Sequence, residues 1–306
     1  MTPNKPILVT GPHRSGSTWV GRVLSSAPSI CYIHEPFNRG QAISPVSKPF
    51  ENWFQYISHN NEEDYFHILS DVLEFRFPVT VNLMRARNLR NVARIGIEWI
   101  SSMNSRLKKA RPLMKDPIAF FSAEWLHRTF DMDVVLLMRH PAAFCSSLKI
   151  KKWNFDFNNF LRQPELMNGY LERFKRTIEL FSCEPRPIIE QGILLWNCFA
   201  NTTKLYLAAH KEWIFIRHED ISLSPEESFN DLFKLLKLNF TNKVREKIAE
   251  SSGPQNPVEQ DNRREFNRNS KRNIDNWKHR LTREEIDIIR KGTKEFYTDY
   301  YSENDW

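Results

Sequence analysis

The chain lacks the features of a membrane-spanning or secreted protein. Its longest uninterrupted apolar runs, of which residues 134–138 form one, are far too short to cross a bilayer. The first residues, MTPNKPILVTG, show no long apolar stretch ahead of a small-residue cleavage site, so no signal peptide is predicted. The four cysteines are scattered, form no C-x-x-C pair and join no His/Cys cluster that would indicate zinc. We therefore expect reduced thiols and a cytoplasmic protein.

Positive charge is unevenly distributed along the 306 residues. The net charge is +7, but residues 85–115 carry nine cations against the single acid Glu98, and residues 261–280 carry seven cations against three acids. Clustered cations favour an anionic partner, whereas a solvated helix face gives the same pattern. For residues 85–115 the sequence leaves both interpretations open.

Short apolar runs at residues 6–10, 112–114, 134–138 and 213–216 predict four buried strands. Helical patterns separate them, with long helices expected at about 165–181 and 188–210. Capping-box sequences starting at Ser224 and Thr282 predict two further helix starts, and the polar segment 251–272 predicts a loop. Buried strands joined by helical crossovers predict an α/β fold, a P-loop-like parallel sheet flanked by helices on both faces.

Charged residues follow the carboxyl end of each predicted strand. The first strand runs into GPHRSGST, and the others end in Lys115-Asp116, Arg139-His140 and residues 217–220. Ligands of open α/β sheets bind outside these strand ends. The cations at this edge therefore predict an anionic ligand.

The stretch GPHRSGSTW, residues 11–19, has the glycine spacing of a phosphate-binding P-loop but not its lysine. Gly11 and Gly16 are correctly spaced, yet Ser17 stands where the lysine belongs, and the nearest cation is Arg14. A glycine-rich turn before a helix directs backbone N–H groups and the helix dipole at an anion. P-loop kinases also need an acidic strand end that helps to hold magnesium, for which Asp116 is a weak candidate. The motif thus predicts an anion held by protein cations without a metal.

These residues resemble sulfotransferases that use 3′-phosphoadenosine 5′-phosphosulfate (PAPS), in particular the carbohydrate and bacterial types. GPHRSGSTW is similar to their 5′-phosphosulfate loop, and VVLLMRHPAAFCSSLK resembles their 3′-phosphate element, with Arg139 closing the strand and Ser147 eight residues later. LMKDP, SAEWL, IRHEDI and NIDNWKHRLTREEI are also similar to sulfotransferase segments. The resemblance implies PAPS as donor, 3′-phosphoadenosine 5′-phosphate (PAP) as product, and no metal. The donor-binding residues it implies are Arg14, Ser15, Gly16, Ser17, Thr18, Trp19, Arg139 and Ser147.

The catalytic residues implied by the resemblance come from CYIHEPFN and from the loop. A Glu-Pro element is similar in carbohydrate-type and some bacterial members, which makes Glu35 the preferred general base and His34 the alternative. Arg14 lies where the family has a lysine next to the bridging oxygen, although His13 is inserted before it. Because a guanidinium keeps its proton, Arg14 is expected to act electrostatically. Lys115 either neutralises sulfuryl oxygens or pairs with Asp116.

The resemblance implies one sulfotransferase domain over residues 1–306, with acceptor-binding helical insertions at about 38–110 and 150–190. The expected acceptor is a hydroxyl, preferably on a carbohydrate, with an anionic polysaccharide as one option. Aromatic residues Trp153, Phe155 and Phe157 either stack on such rings or pack in the core, and residues 270–272 either form a flap over the nucleotide or a solvated loop. No nucleic-acid-binding motif is present. A divergent P-loop kinase and a non-catalytic glycan- or nucleotide-binding protein are the alternatives.

Overall fold

Five parallel strands form the central sheet of the computed structural model, which describes residues 5–258 and 267–306. Their bounds are β1 Ile7–Thr10, β2 Ile30–His34, β3 Arg111–Lys115, β4 Asp133–Met138 and β5 Ile214–Arg217. Across the sheet the strands follow the order β2-β3-β1-β4-β5, which places the first strand of the chain in the middle. Because every pairing is parallel, the carboxyl ends of all five strands meet at one edge.

The sheet is buried on both faces, since side chains alternate along each strand. Leu8 and Leu136 belong to one apolar cluster, while Val9 and Leu137, the next residues along β1 and β4, belong to the other. Helices supply the remainder of both clusters, so two helical layers enclose the strands. The predicted α/β class, with helices on both faces of a parallel sheet, is confirmed.

The strand β2 is the one that the sequence pattern does not predict. It lies at the edge of the sheet, pairs with β3 alone, and most of its residues are half-buried or exposed. Its sequence, ICYIH, therefore lacks the continuous apolar run typical of a strand covered on both sides. The other four strands coincide with the predicted runs to within one or two residues.

The described residues contain sixteen α-helices, several of them short. The first eight are α1 Ser17–Leu24, α2 Glu63–Leu73, α3 Val79–Arg85, α4 Leu89–Leu107, α5 Ala123–Phe130, α6 Pro141–Lys151, α7 Asn158–Leu161 and α8 Pro164–Asn168. The others are α9 Lys175–Cys183, α10 Ile188–Ala209, α11 His218–Leu223, α12 Pro225–Leu235, α13 Asn242–Ser252, α14 Ser270–Ile274, α15 Trp277–Arg280 and α16 Arg283–Tyr297. None of the described helices is long and apolar enough to span a membrane.

The single helix predicted at 165–181 is wrong, because the chain breaks at Gly169. α8 ends there, a 3₁₀ turn covers Glu172–Phe174, and α9 follows. Glycine disfavours a helix interior, and the next residue, Tyr170, packs its ring on Tyr206 and donates its hydroxyl to Glu124. Tertiary contacts of Tyr170 thus outweigh the helical pattern. The helix predicted at 188–210 is present as α10.

The two predicted capping boxes have different outcomes. At Thr282 the box forms: its hydroxyl accepts from the Glu285 N–H, and the Glu285 carboxylate accepts from the Thr282 N–H. At Ser224 the predicted hydrogen bond is absent among the described residues, although α12 does begin at Pro225. Ser224 lies at φ −133° and ψ 68°, immediately after α11, so the preceding helix fixes its backbone.

Of the segment predicted as a loop at 251–272, residues 253–258 and 267–269 are irregular, but its two ends are helical. α13 extends to Ser252, and α14 begins at Ser270. Part of the predicted loop, residues 259–266, lies outside the described residues.

The basic segment 85–115 divides into two buried cations and an exposed set. Arg111 pairs with Asp133, and Lys115 pairs with Glu35. The exposed set, which we call the basic face, forms no ion pair with any described residue and consists of Arg85, Arg87, Arg90, Arg94, Arg106, Lys108 and Lys109. It lies on α3, α4 and the adjoining turns, where Leu89 and Met84 are 87% and 80% exposed.

Candidate active site

A cavity of about 240 Å³ lies at the carboxyl edge of the sheet. The loop after β1, the turn after β2 and the end of β4 all contribute to its wall, through Arg14, Glu35 and Arg139 respectively. Ser17, Thr18 and Trp19 of α1 also line it. The strand ends therefore converge as the charge pattern predicts.

The loop between β1 and α1 has a backbone that only a few residue types adopt. Gly11 and Gly16 have φ of 144° and 90°, and Arg14 has φ of 68°. A Cβ atom on Gly11 would lie 2.3 Å from the Leu137 carbonyl oxygen, and one on Gly16 would lie 2.4 Å from His218 Nδ1. Both glycines thus permit close packing of the loop, and the first N–H groups of α1, which have no partner within the helix, stay available for an anion.

Arg14, Arg139 and Ser147 come together although they are distant in the sequence. Arg14 Nε donates to Ser147 Oγ at 2.8 Å, and Arg139 Nη1 donates to the Arg14 carbonyl oxygen at 3.0 Å. Ser147 lies on α6, directly after β4, so this contact joins the loop after β1 to the neighbouring strand. Two guanidiniums and a hydroxyl form a donor set suited to a phosphate.

Ser15 lies differently from its neighbours in the loop. Its side chain is fully buried, and its hydroxyl has no hydrogen-bond partner among the described residues. It does not line the cavity, so the predicted donor contact of Ser15 is not made by its side chain in this geometry.

The side chain of the inserted residue His13 packs among aromatic rings. Its ring lies 5.1 Å from Phe144, 5.2 Å from Trp153 and 5.5 Å from Phe54, measured between ring centroids. Burial, and to a smaller extent the charge of Arg14, lower the pKa of His13 to about 3, so the ring is neutral. The insertion is accommodated in the apolar core, and Arg14 keeps its place on the cavity.

Glu35 is held against the cavity by the end of β3. His34 pairs in register with Lys115, so the next residue, Glu35, lies beside the Lys115 ammonium and forms an ion pair with it. Asn38 Nδ2 donates to the other carboxylate oxygen at 2.7 Å. Burial opposes ionisation of Glu35, but Lys115, His34 and Asn38 outweigh it and lower its pKa. The carboxylate is therefore ionised near neutral pH.

Asp116 fixes the backbone of the turn that carries Glu35. Its carboxylate is fully buried and accepts from the Phe37 N–H at 2.7 Å and the Ile118 N–H at 2.8 Å. Burial and the nearby charge of Glu35 raise the pKa of Asp116 to about 7. Because both oxygens are occupied by backbone donors, Asp116 shapes the turn, and Lys115 pairs with Glu35 rather than with Asp116.

His34 does not share the cavity with Glu35. Its side chain is 53% exposed and lines a separate groove on the outer side of β2, stacked on Tyr32. Partial desolvation and the charge of Lys115 lower the pKa of His34. The two candidate bases thus line different cavities, although His34 Nε2 lies 3.9 Å from Glu35 Oε2.

Several residues that line the cavity escape sequence reasoning. They are Asn38, Trp53, Ser222, Ser251, Arg268 and Asn273, whereas His218 and Ser270, which also line it, belong to segments that the sequence singles out. Most lie in segments remote from the loop, and no local spacing indicates their position. Trp19 Nε1 donates to Ser251 Oγ at 2.9 Å, and Ser270 Oγ donates to the Ser222 carbonyl at 2.9 Å, so α13 and α14 close the side of the cavity next to α1.

The charged residues after β5 have mainly structural partners. Arg217 Nε donates to Asp220 at 2.8 Å, and Glu219 accepts from the His140 N–H at 3.0 Å and the Tyr301 hydroxyl at 2.9 Å. This network ties β5 to β4 and to the end of the chain.

A second cavity of about 320 Å³ adjoins the first. His13, Trp53, Ile118 and Trp153 line both. Phe54 and Phe155 continue its aromatic wall, whereas Phe157 is buried in the core. The rim carries Arg39, Asp156 and Arg162, and the guanidinium of neither arginine forms an ion pair or hydrogen bond with a described residue. We call this space the aromatic cavity.

A family model for the sulfotransferase family matches residues 6–242. The chain belongs to the sulfotransferase family. It is therefore a PAPS-dependent sulfotransferase, and the loop, the two arginines and Ser147 offer cationic and hydroxyl donors of the kind that both anionic ends of PAPS require.

Solved sulfotransferase structures match this chain at low sequence identity. The sulfotransferase domain from the curacin biosynthetic pathway is 15% identical over 96% of this chain and 97% of that one, with a TM-score of 0.50. The sulfotransferase domain of the Synechococcus PCC 7002 olefin synthase is 14% identical over 97% and 95%, with a TM-score of 0.47. Mouse sulfotransferase SULT7A1, complexed with PAP, is 12% identical over 99% and 87%, with a TM-score of 0.46. No curated protein matches this sulfotransferase in sequence.

Proposed function

We propose that this sulfotransferase transfers a sulfuryl group from PAPS to a carbohydrate hydroxyl, with Glu35 as general base and without a metal. The observation that carries the proposal is the position of the Glu35 carboxylate, which lines the same cavity as Arg14, Ser17 and Thr18. His34, the alternative base, lines a groove on the other side of β2.

The donor is assigned to two anion-binding regions of this first cavity, which we call the donor cavity. Arg139 lines the cavity and binds the 3′-phosphate, and Ser147, which is buried and does not line it in this geometry, completes that region through its contact with Arg14. The N-terminus of α1, with Ser17 and Thr18, binds the 5′-phosphosulfate. Arg14 contacts Ser147 and comes from the loop itself, so it lies between the two regions. Because arginine keeps its proton, Arg14 stabilises the negative charge that develops on the bridging oxygen.

Transfer forms a bond between the acceptor oxygen and sulfur as the bond from sulfur to the bridging oxygen breaks. The acceptor proton passes to Glu35, and PAP leaves with the electron pair of the broken bond. Lys115 keeps Glu35 ionised before the reaction and provides positive charge next to the reacting group. A carboxylate of lowered pKa is a weak base, but in a loose transition state the acceptor loses its proton late, which suits a weak base.

The acceptor is assigned to the aromatic cavity. Trp53 and Trp153 lie at its junction with the donor cavity, where a sugar ring can stack and present a hydroxyl towards Glu35. The unpaired arginines at the rim, Arg39 and Arg162, suit an anionic substituent such as a carboxylate. The basic face on α3 and α4 supports a longer anionic polysaccharide as the natural acceptor.

The four cysteines support a cytoplasmic location, since all are free thiols. Cys145 and Cys198 are buried, and burial raises the pKa of both thiols. Labelling of thiols in freshly isolated protein, before and after reduction, tests this assignment, because a location outside the reducing cytoplasm predicts additional labelling after reduction.

A matched pair of acceptors tests the sugar assignment. The enzyme should transfer sulfate from PAPS to 4-nitrophenyl β-glucuronide faster than to 4-nitrophenyl β-glucoside, which lacks the carboxylate. Arg162→Gln should reduce the preference for the glucuronide and leave turnover of the glucoside unchanged. Equal turnover of both acceptors by the wild-type enzyme contradicts the anionic assignment.

Two further variants test the base. Glu35→Gln should abolish transfer while PAP still binds, and His34→Gln should retain transfer because His34 lies outside the cavity. Persistent turnover in Glu35→Gln, or its loss in His34→Gln, contradicts Glu35 as the base.

A further inference from the structure

His127, His210 and Glu212 meet at the amino edge of the sheet, opposite the donor cavity. His127 lies on α5, and His210 and Glu212 lie between α10 and β5. His127 Nε2 is 3.1 Å from Glu212 Oε1, and His210 Nδ1 is 3.2 Å from the same oxygen. His127 is about 80 residues before the other two, so no local spacing motif joins all three.

In each ring, the nitrogen that points away from Glu212 already forms a hydrogen bond. His127 Nδ1 lies 2.8 Å from the Met132 carbonyl oxygen, which can only accept, so this nitrogen carries the hydrogen. His210 Nε2 lies 3.1 Å from Glu124 Oε1, and the other Glu124 oxygen accepts from the Tyr170 hydroxyl. A carboxylate also only accepts, so His210 donates from Nε2.

The inward-facing nitrogens therefore present lone pairs to one carboxylate oxygen. A neutral imidazole has a single N–H, and in both rings it points outward. Two nitrogen lone pairs and a carboxylate oxygen then face each other with no hydrogen between them. A metal ion at this point, or an added proton, makes the arrangement favourable. Two imidazoliums would repel each other across the 5.2 Å between the ring centroids, a repulsion that Glu212 and Glu124 would partly offset.

We propose that this sulfotransferase binds one divalent transition metal ion, preferably zinc, through His127 Nε2, His210 Nδ1 and Glu212 Oε1. Zinc prefers nitrogen and carboxylate ligands in a tetrahedron, and bonds of about 2 Å place neighbouring ligand atoms about 3.3 Å apart. The two nitrogen-to-oxygen distances are close to that separation, and the candidate ligand atoms lie within 4.8 Å of one another. Glu212 is 57% exposed, so water can enter and fill the fourth position.

The surrounding contacts have the form of an outer coordination shell. Metal-bound histidines usually donate their other N–H to a carbonyl or a carboxylate, as His127 and His210 do here. His210 also stacks on Trp213 at 4.5 Å, which fixes the ring plane. The ion would tie α5 to the segment between α10 and β5, a structural role separate from sulfuryl transfer.

Untagged enzyme, stripped with a chelator, provides the test. Titration with Zn²⁺ should show one site per chain and a higher melting temperature, and Co²⁺ should give the strong visible absorption of a tetrahedral site. His127→Ala and Glu212→Gln should abolish both signals. Glu124→Gln should weaken binding by about 10–100-fold, since it alters only the outer shell.

A matched control is available in another His–Glu pair. His59 Nδ1 lies 2.7 Å from Glu62, and His59 is exposed, so His59→Ala should leave metal binding unchanged. If His127→Ala fails to fold, Glu212→Gln still tests metal binding, because Glu212 is exposed and its replacement should not prevent folding. Binding that survives Glu212→Gln, that weakens equally in His59→Ala, or that is absent in the wild-type enzyme overturns the proposal. None of these readouts depends on sulfuryl transfer.

Discussion

Replacement of Lys115 by methionine tests the ion pair that holds the proposed base. The Lys115 side chain is fully buried, and the Glu35 side chain is 16% exposed. Methionine approximates the volume of the lysine but leaves the Glu35 carboxylate without a counter-charge inside the protein. Breaking a buried ion pair in this way costs about 3–5 kcal/mol of unfolding free energy. We expect the lower end, because Asn38 still donates to the carboxylate at 2.7 Å.

The loss of unfolding free energy caused by Lys115→Met should be smaller when the uncompensated charge of Glu35 is also removed. Urea unfolding at pH 7 would compare the wild type, Lys115→Met, Glu35→Gln and the double variant. Glu35→Gln should lower the free energy of unfolding in the wild-type background and raise it in the Lys115→Met background. A double variant whose losses simply add would refute the coupling between the two side chains.

The same substitution predicts the direction of a pH shift. In the wild type, burial opposes ionisation of Glu35, and Lys115 is the main group that lowers its pKa. Without Lys115 burial is largely unopposed, so the pKa of Glu35 rises and the acidic limb of the transfer rate should move to higher pH. If the acidic limb of the pH–rate profile stays at the same pH in Lys115→Met, Glu35 is not the titrating base.

Three further predictions concern single sites. Gly16→Ala should weaken PAP binding, because the left-handed backbone costs about 1–2 kcal/mol and the new Cβ meets His218, whereas Gly96→Ala, in open space on α4, should be neutral or stabilising. Asp116→Asn should lower the free energy of unfolding by about 1–3 kcal/mol, because the amide group leaves one buried backbone N–H unpaired. The pKa of His13 is lowered from 6.5 to about 3, so its neutral, buried form contributes stability that is lost as pH falls below 6.5. His13→Phe should therefore reduce the acid dependence of unfolding by at most about 1.4 kcal/mol per pH unit.

The parts of the site that the sequence predicts are those carried by single local segments. The loop of residues 11–16 follows a buried strand and precedes a helix, so its glycines and Arg14 can be located from spacing alone. Arg139 closes a strand, and Ser147 lies two turns into the next helix, so their neighbourhood also follows from local order. Four of the five strands can also be located from the sequence, because strands covered on both faces contain continuous apolar runs.

The remaining parts depend on pairings that no local pattern contains. The Glu35–Lys115 pair follows from the register of β2 against β3, and β2 is an edge strand without a clear apolar run. Only the three-dimensional structure distinguishes Glu35 from His34 as the candidate base, because Glu35 lines the donor cavity and His34 lines a separate groove. Ser251 of α13, Arg268, and Ser270 and Asn273 of α14 form one wall of the cavity, and because these residues are remote in sequence from the loop, their contacts arise only from tertiary packing.

Ligand-dependent thermal shift tests the central claim of a PAPS-shaped donor site most directly. The enzyme would be heated alone, with PAP, with 5′-AMP, and with ATP plus magnesium. The account predicts strong stabilisation by PAP, about 2.7 kcal/mol at 100 times its Kd, and little by the other two ligands. It also predicts that Arg139→Ala removes most of the PAP effect. Equal stabilisation by 5′-AMP would contradict the 3′-phosphate site, a response to ATP and magnesium alone would favour a kinase, and no response to PAP would contradict the donor assignment.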